Sequence, residues 1–267
     1  MSLGMLAAAG GEEGFETPTQ AIFWQPLIGS GSGWLDVTRP ALVFVLSAVL
    51  IAALLNWATK RLEVVPGKRQ MGMEATYGLV RNSIARDIIG SRDFLKFVPM
   101  LFTMFALILV NNLFGIIPPV QYPTMSRIAF PLVLALVVYG VYHYLGIKKR
   151  GLGGHIGHMI PPGLPGWIKP LVFLLELITY FITRPVTLAL RLFGNMFAGH
   201  ILLVLFITGG EYMLLHSGSL GLQIFSIPTF AMGIVMTLFE LLVEFLQAYI
   251  FTLLAALYIA GSLADEH

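Results

Sequence analysis

The 267-residue chain contains no cysteine, which excludes a disulfide framework and any thiolate metal or redox centre. Charge is also scarce: charged residues make up 11% of the chain, apolar residues 57%, and the mean hydropathy is +0.83. Soluble domains carry about 25% charged residues, so this composition excludes an ordinary water-soluble globule. No Lys or Arg precedes Arg39, and the opening MSLGMLAAAG has neither the basic n-region nor the length of a cleavable signal or transit peptide. The apolar segments themselves are expected to direct insertion. No G-x-x-x-x-G-K-[ST], G-x-S-x-G or H-E-x-x-H pattern occurs, so no phosphate loop, nucleophile elbow or zinc-protease helix is expected. The net charge of +2 gives no nucleic-acid footprint, because the basic residues sit in loops beside apolar segments, where they report topology.

What is present is a series of long uncharged runs. In lipid every backbone N–H and C=O must be satisfied within the protein, which leaves helices or closed barrels, and the runs are too long for barrel strands. An all-α integral membrane protein with about five membrane helices follows. Residues 1–39 are polar and acidic. The first span is 40–59, and 60–96 is a basic segment whose 70–90 portion suits an interfacial amphipathic helix. Spans at 97–119 and 128–147 come next. The second ends near Asn111, Asn112, Gly115, Pro118 and Pro119, and the third ends at Lys148, Lys149 and Arg150. The basic segments after spans one and three must share a face, which places the N-terminus outside and the C-terminus inside.

Two longer runs remain, 170–208 and 222–262, separated by a loop containing Glu211, His216 and glycines. As straight helices each measures roughly 60 Å, about twice the hydrocarbon thickness. Pro185 lacks the polar turn that a hairpin needs, so both are expected to be continuous and strongly tilted.

These two runs hold the charges that fall inside apolar sequence: Glu176, Arg184 and Arg191 in the first, with Asn195 and His200, and Glu240, Glu244 and Gln247 in the second. An arginine at mid-membrane costs about 2.5–3.5 kcal/mol on insertion scales, and a guanidinium cannot be deprotonated in a protein. Arg191 therefore needs water, a carboxylate or another protein surface. Thr183, Thr187, Arg191 and Asn195 recur every four residues along one stripe, with Gly194 beside it, while His200 falls about 180° away. Glu240, Glu244 and Gln247 share a face of the last run. One plain alternative is a buried ion pair between Arg191 and Glu240 or Glu244, which would contribute little net stability. Glu176 and Arg184 read as helix-end or interfacial charges and His143 as an interface residue. His155 and His158 have metal-pair spacing but no third ligand in the sequence nearby, and are read as solvated. No metal or cofactor is expected.

PVTLALRLFGNMFAGHILL (185–203), with its R-L-x-x-N core, and FELLVEFLQAYIFTLLAALYIAGS (239–262) resemble subunit a of F-type ATP synthases. The resemblance implies a stator subunit that forms two offset aqueous half-channels against a rotating ring of c subunits. The implied partners are that ring, peripheral-stalk b subunits, the other synthase subunits, membrane lipids and protons. Arg191 would take the essential charged position between the half-channels, Asn195 the polar position beside it, and Gln247 the position approaching it from the last helix. His200 and Glu240 would serve the proton path, in the arrangement of mitochondrial members. Glu244 is joined to that path as a feature less shared in the family. The implied site is the bacterial cytoplasmic membrane, or alternatively the mitochondrial inner membrane. A secondary transporter with Arg191 as an anion site predicts paired inverted repeats, and an intramembrane hydrolase using His200 and Glu240 needs a catalytic motif; neither feature is found in the sequence.

Overall fold

The computed structural model of the chain describes residues 26–28, 37–60, 63–117, 122–157 and 165–264. Two short strands, β1 (Pro26–Ile28) and β2 (Val37–Thr38), pair antiparallel ahead of the first helix, a detail absent from the sequence reading. All else that is regular is helical. Five helices are long and apolar enough to cross a membrane: α1 (Arg39–Thr59), α3 (Phe94–Ile116), α4 (Ala129–Gly157), α5 (Lys169–Leu215) and α6 (Leu220–Leu263). Between α1 and α3, residues 68–89 form the expected additional helix, α2, whose second half is π-helical and buries Val80, Ile84 and Ala85. The fold is an all-α, multi-span bundle.

The two long runs are each one continuous helix, with no hairpin reversal. Both extend past the boundaries expected from hydropathy. Gly209, Gly210 and Glu211, read as loop, lie inside α5, because glycine in a membrane helix admits a close neighbour. A Cβ on Gly210 would come within 3.1 Å of the Phe230 ring of α6, so the antiparallel α5–α6 pair packs closely here, near its turn. The third span also runs further than expected. It passes Lys148–Arg150 and bends at Gly151, whose φ of 71° is readily adopted only by glycine.

Continuity of α5 through Pro185 has a local cause. Thr179–Thr183 is π-helical, and in that register the carbonyl of Tyr180 would accept from the N–H of residue 185, which proline lacks. The hydroxyl of Tyr142 on α4 donates to that carbonyl at 2.7 Å. Tyr142→Phe should leave the carbonyl orphaned and lower stability by about 1 kcal/mol, as membrane hydrogen bonds average roughly 0.6 with a maximum near 1.7. Thermal denaturation of the solubilised assembly reads this; an unchanged midpoint refutes it.

The core lies where α3, α4, α5 and α6 meet, around Leu101, Phe105, Val138, Leu188, Leu192 and Phe251. Ala248, Ala255 and Ala256 on α6 are fully buried there, small side chains that let helices pack closely without a hydrophobic driving force. Lys149 and Arg150 at the basic end of α4 donate to the carbonyls of Leu263, Ser262 and Ala264, so cations from one helix cap the C-terminus of another. At the opposite end, Asn111 of α3 donates to Ser47 of α1 at 2.7 Å and accepts from Thr124 at 2.9 Å. This ties α1, whose remaining surface is largely exposed, to the bundle.

The packing also bears on the path of α6. Glu244 lies against Gly115, close to the end of α3. The part of α6 preceding Glu244 measures about 36 Å. Upright, it would project far beyond α3 and out of the apolar slab. An oblique course, expected from the length of the segment, would keep it within the apolar slab.

Candidate functional site

Arg191 sits on the exposed side of α5. Leu188, Ala189, Leu192 and Met196 form the buried face of the same helix. Thr183, Thr187 and Arg191 are all exposed and Asn195 is half-buried, so the stripe read from four-residue spacing lies on the outer surface of the bundle. Both threonine hydroxyls donate within their own helix, Thr187 to the Thr183 carbonyl at 2.6 Å and Thr183 to that of Ile178 at 3.4 Å. The stripe can therefore meet an apolar surface without orphaned hydroxyls. Around it the surface is greasy: Val186 and Leu190 on α5 and Leu242, Phe245 and Leu246 on α6 are all exposed.

No ion pair joins Arg191 to Glu240 or Glu244. The single ion pair among the described residues is Lys96–Asp93, far along the chain. Among the described residues, no counter-charge is paired with Arg191.

His200 lies on the opposite side of α5 from Arg191 and is 5% exposed. Beside it in sequence, Gly199 allows Glu240 of α6 to come close: a Cβ there would fall 2.7 Å from Glu240 Oε1. Glu240, Glu244 and Gln247 all belong to the buried face of α6, and Tyr249 is half-buried. Both carboxylate oxygens of Glu240 and of Glu244, and Gln247 Nε2, have no hydrogen-bond partner among the described protein atoms. The acidic face is thus turned into the seam between helices and the guanidinium out of it. One helix wall, at Leu192 and Met196, separates the two environments.

Sequence reasoning missed the residues that shape this seam. Gly199 and Gly115 provide room, Met196 lines it, and Asn112 donates to the Glu244 carbonyl at 3.2 Å. Asn112 was visible as a polar residue in a span, and Gly199 as the neighbour of His200, but nothing in the sequence pairs them with α6.

Two histidine expectations need correction. His155 is not solvated, and His143 is no simple interface residue. Both are buried, at 4% and 8% exposed, and His143 Nδ1 lies 2.9 Å from His155 Nε2. The bend at Gly151 folds the following turn back, and the His155 ring fills the space that a Cβ at Gly146 would need. His158 lies outside the described residues. Among the described residues, no group of three or more metal-type ligands exists. Arg184, read as a helix-end or interfacial charge, lies inside the continuous helix α5, 3.4 Å above the ring of Tyr180 and 5.1 Å from that of Tyr258, held by cation–π contact. Glu176 is half-buried on the same helix.

Residues 41–260 match the family described as ATP synthase A chain. The chain belongs to that family. It is 44% identical over 265 residues to ATP synthase subunit a of Nocardioides sp., covering 96% of this chain and 95% of the relative. It is 46% identical over 231 residues to ATP synthase subunit a of Pseudarthrobacter chlorophenolicus, covering 86% of each. With that of Streptomyces lividans it shares 37% over 256 residues, covering 95% of this chain and 90% of the relative. As a member of the ATP synthase A chain family it is a multi-pass stator subunit of the Fo sector that conducts protons through half-channels against the c-ring. It performs no nucleotide chemistry itself, in keeping with the lack of a phosphate loop in its sequence.

Proposed function

We propose that Arg191 is the charge that divides the two half-channels and that its exposed stripe on α5 is the surface on which the ring turns. The observation that carries this is an arginine presented outward from the middle of an apolar helix surface, without an ion-pair partner among the described residues. Such a group is tolerable in a membrane only if water, a carboxylate or another protein surface meets it. A ring carboxylate is the fitting passer-by. At about 4 Å and an effective dielectric near 20, opposite charges attract by about 4 kcal/mol, enough to hold the acid ionised while it faces Arg191. The carboxylate can then leave into lipid on one side only after taking a proton, and an arriving carboxyl must release its proton on the other.

A fixed guanidinium also repels a proton moving directly between the two openings. This suppresses leak, at a site where each charge crossing carries about 2.3 kcal/mol per 100 mV. Asn195, half-buried one turn from Arg191, would hydrogen-bond the passing carboxylate. Gln247 would approach the same level from α6. His200 and Glu240 would carry protons between the outer water and this point, imidazole and carboxyl being suited to exchange near neutral pH. The basic residues at the ends of α1 and α4 support an inward-facing C-terminus, and bacterial relatives support the cytoplasmic membrane as its place. The b subunits would dock on other exposed helix surfaces.

Because the chain has no cysteine, introduced thiols report position without background. Thr187→Cys, on the stripe, should form a disulfide with a cysteine placed beside the ring carboxyl under mild oxidation. Leu188→Cys, 2% exposed on the inner face, should not. Equal yields from both positions would count decisively against the stripe as the ring-facing surface.

A further inference from the structure

One turn beyond Glu240 on α6, and one turn short of Gln247, Glu244 is fully buried at 0% exposed. A buried carboxyl kept for packing is expected to be paired with a cation or saturated with hydrogen bonds, since otherwise an apolar side chain of similar volume serves better. Glu244 has neither: both oxygens lack a partner among the described protein atoms, and no ion pair reaches it. Yet space is reserved for it. Gly115 of α3 lies where a Cβ would come within 3.3 Å of Glu244 Oε1 and 3.0 Å of Met196 Cε.

A second set of atoms points the same way. Asn112 of α3 spends Nδ2 on the Glu244 carbonyl at 3.2 Å, which leaves its buried Oδ1 without a partner. Gln247 Nε2 is likewise buried and unpartnered. Together with the oxygens of Glu240 and Glu244, donors and acceptors therefore continue along two turns of α6, walled by Met196 and Gly115. Buried polar atoms of this kind are satisfied by water, each molecule needing two to four polar partners, and a polar file supplies them.

We infer that Glu244 is a second proton-carrying carboxyl of the path, placed between Glu240 and the level of Arg191. The inference rests on the reading of Glu240 as part of that path. In each transfer the Glu244 carboxylate takes a proton from water hydrogen-bonded to protonated Glu240, which returns to carboxylate. Glu244 then releases that proton to water on the Gln247 side. One O–H bond forms as another breaks, and no electron moves. Two carboxyls a helical turn apart shorten each hop relative to one acid acting alone across the same span.

The test uses the whole synthase in reconstituted vesicles, reading passive proton conduction through the membrane sector and ATP-driven pumping. Glu244→Gln keeps size and hydrogen bonding but cannot carry a proton, and should slow conduction by about a hundredfold, at the low end of general acid–base contributions. Glu244→Leu should assemble normally and conduct no better than Glu244→Gln. Wild-type conduction in either variant overturns the inference. Should Glu244→Gln fail to assemble, Glu244→Asp decides. Slowed conduction with an altered dependence on pH at the face where protons enter supports the relay; a wild-type pH profile overturns it. Glu240→Gln is measured in parallel. Normal conduction there overturns the underlying reading of the path, whereas loss there with normal conduction in Glu244→Gln overturns only the role of Glu244.

Discussion

Arg191→Ala should abolish both proton-driven ATP synthesis and ATP-driven proton pumping while the assembled complex is recovered in normal amount. The two halves of this expectation come from the same observation. Arg191 is exposed on α5 and makes no ion pair within the described chain, so its removal leaves no buried carboxylate stranded and opens no cavity in the core. What disappears is the only fixed positive charge on the exposed stripe. Without it, a ring carboxyl can pass still protonated, and protons can cross between the two openings without turning the ring. Membranes containing the variant should therefore be uncoupled. Arg191→Lys keeps the charge but loses the planar, multi-donor fork, and should retain little activity. Measurement in inverted vesicles decides the matter, and near-normal coupled turnover by Arg191→Ala would falsify the assignment.

Glu240→Gln should reduce proton-driven synthesis by about a hundredfold, the lower end of what a positioned proton-transfer group contributes. The substitution is nearly isosteric, and Glu240 has no hydrogen bond within the described protein atoms to lose. Stability of the complex should change little. Gly199→Val is the companion variant. It leaves every ionisable group in place but puts carbon where Glu240 Oε1 now lies, since even a single Cβ at Gly199 would sit 2.7 Å from that oxygen. Displacing the carboxyl should produce a loss of the same kind. If Gly199→Val conducts normally while Glu240→Gln does not, the placement of the carboxyl against Gly199 is wrong even though the acid matters. If both conduct normally, protons take another route.

The His143–His155 contact shows what sequence spacing conceals. The interval between His155 and His158 drew attention to a metal pair, and the real partner of His155 lies twelve residues upstream on the same helix. A turn at Gly151 with positive φ brings them together, and Gly146 makes room for the ring. Arg184 is a similar case. Its position within an apolar run was plain, but its accommodation by Tyr180 and Tyr258 depends on α6 passing beside α5.

By itself the sequence determined that the chain is helical and membrane-spanning, because uncharged runs of that length have no other way to satisfy their backbones in lipid. It determined the stripe containing Arg191 through a period that any α-helix must obey, and the excess length of the last two helices through simple rise per residue. Tertiary structure alone decided which way each stripe faces. Periodicity puts residues on a common face but is silent about what that face meets, and so it left open whether Arg191 closes on Glu240 and Glu244 or turns away from them. The packing of α5 against α6 through Gly199, Gly210 and Gly233 turns the acids inward and the guanidinium outward. That choice depends on close approaches between residues distant in the chain, and no local pattern records them.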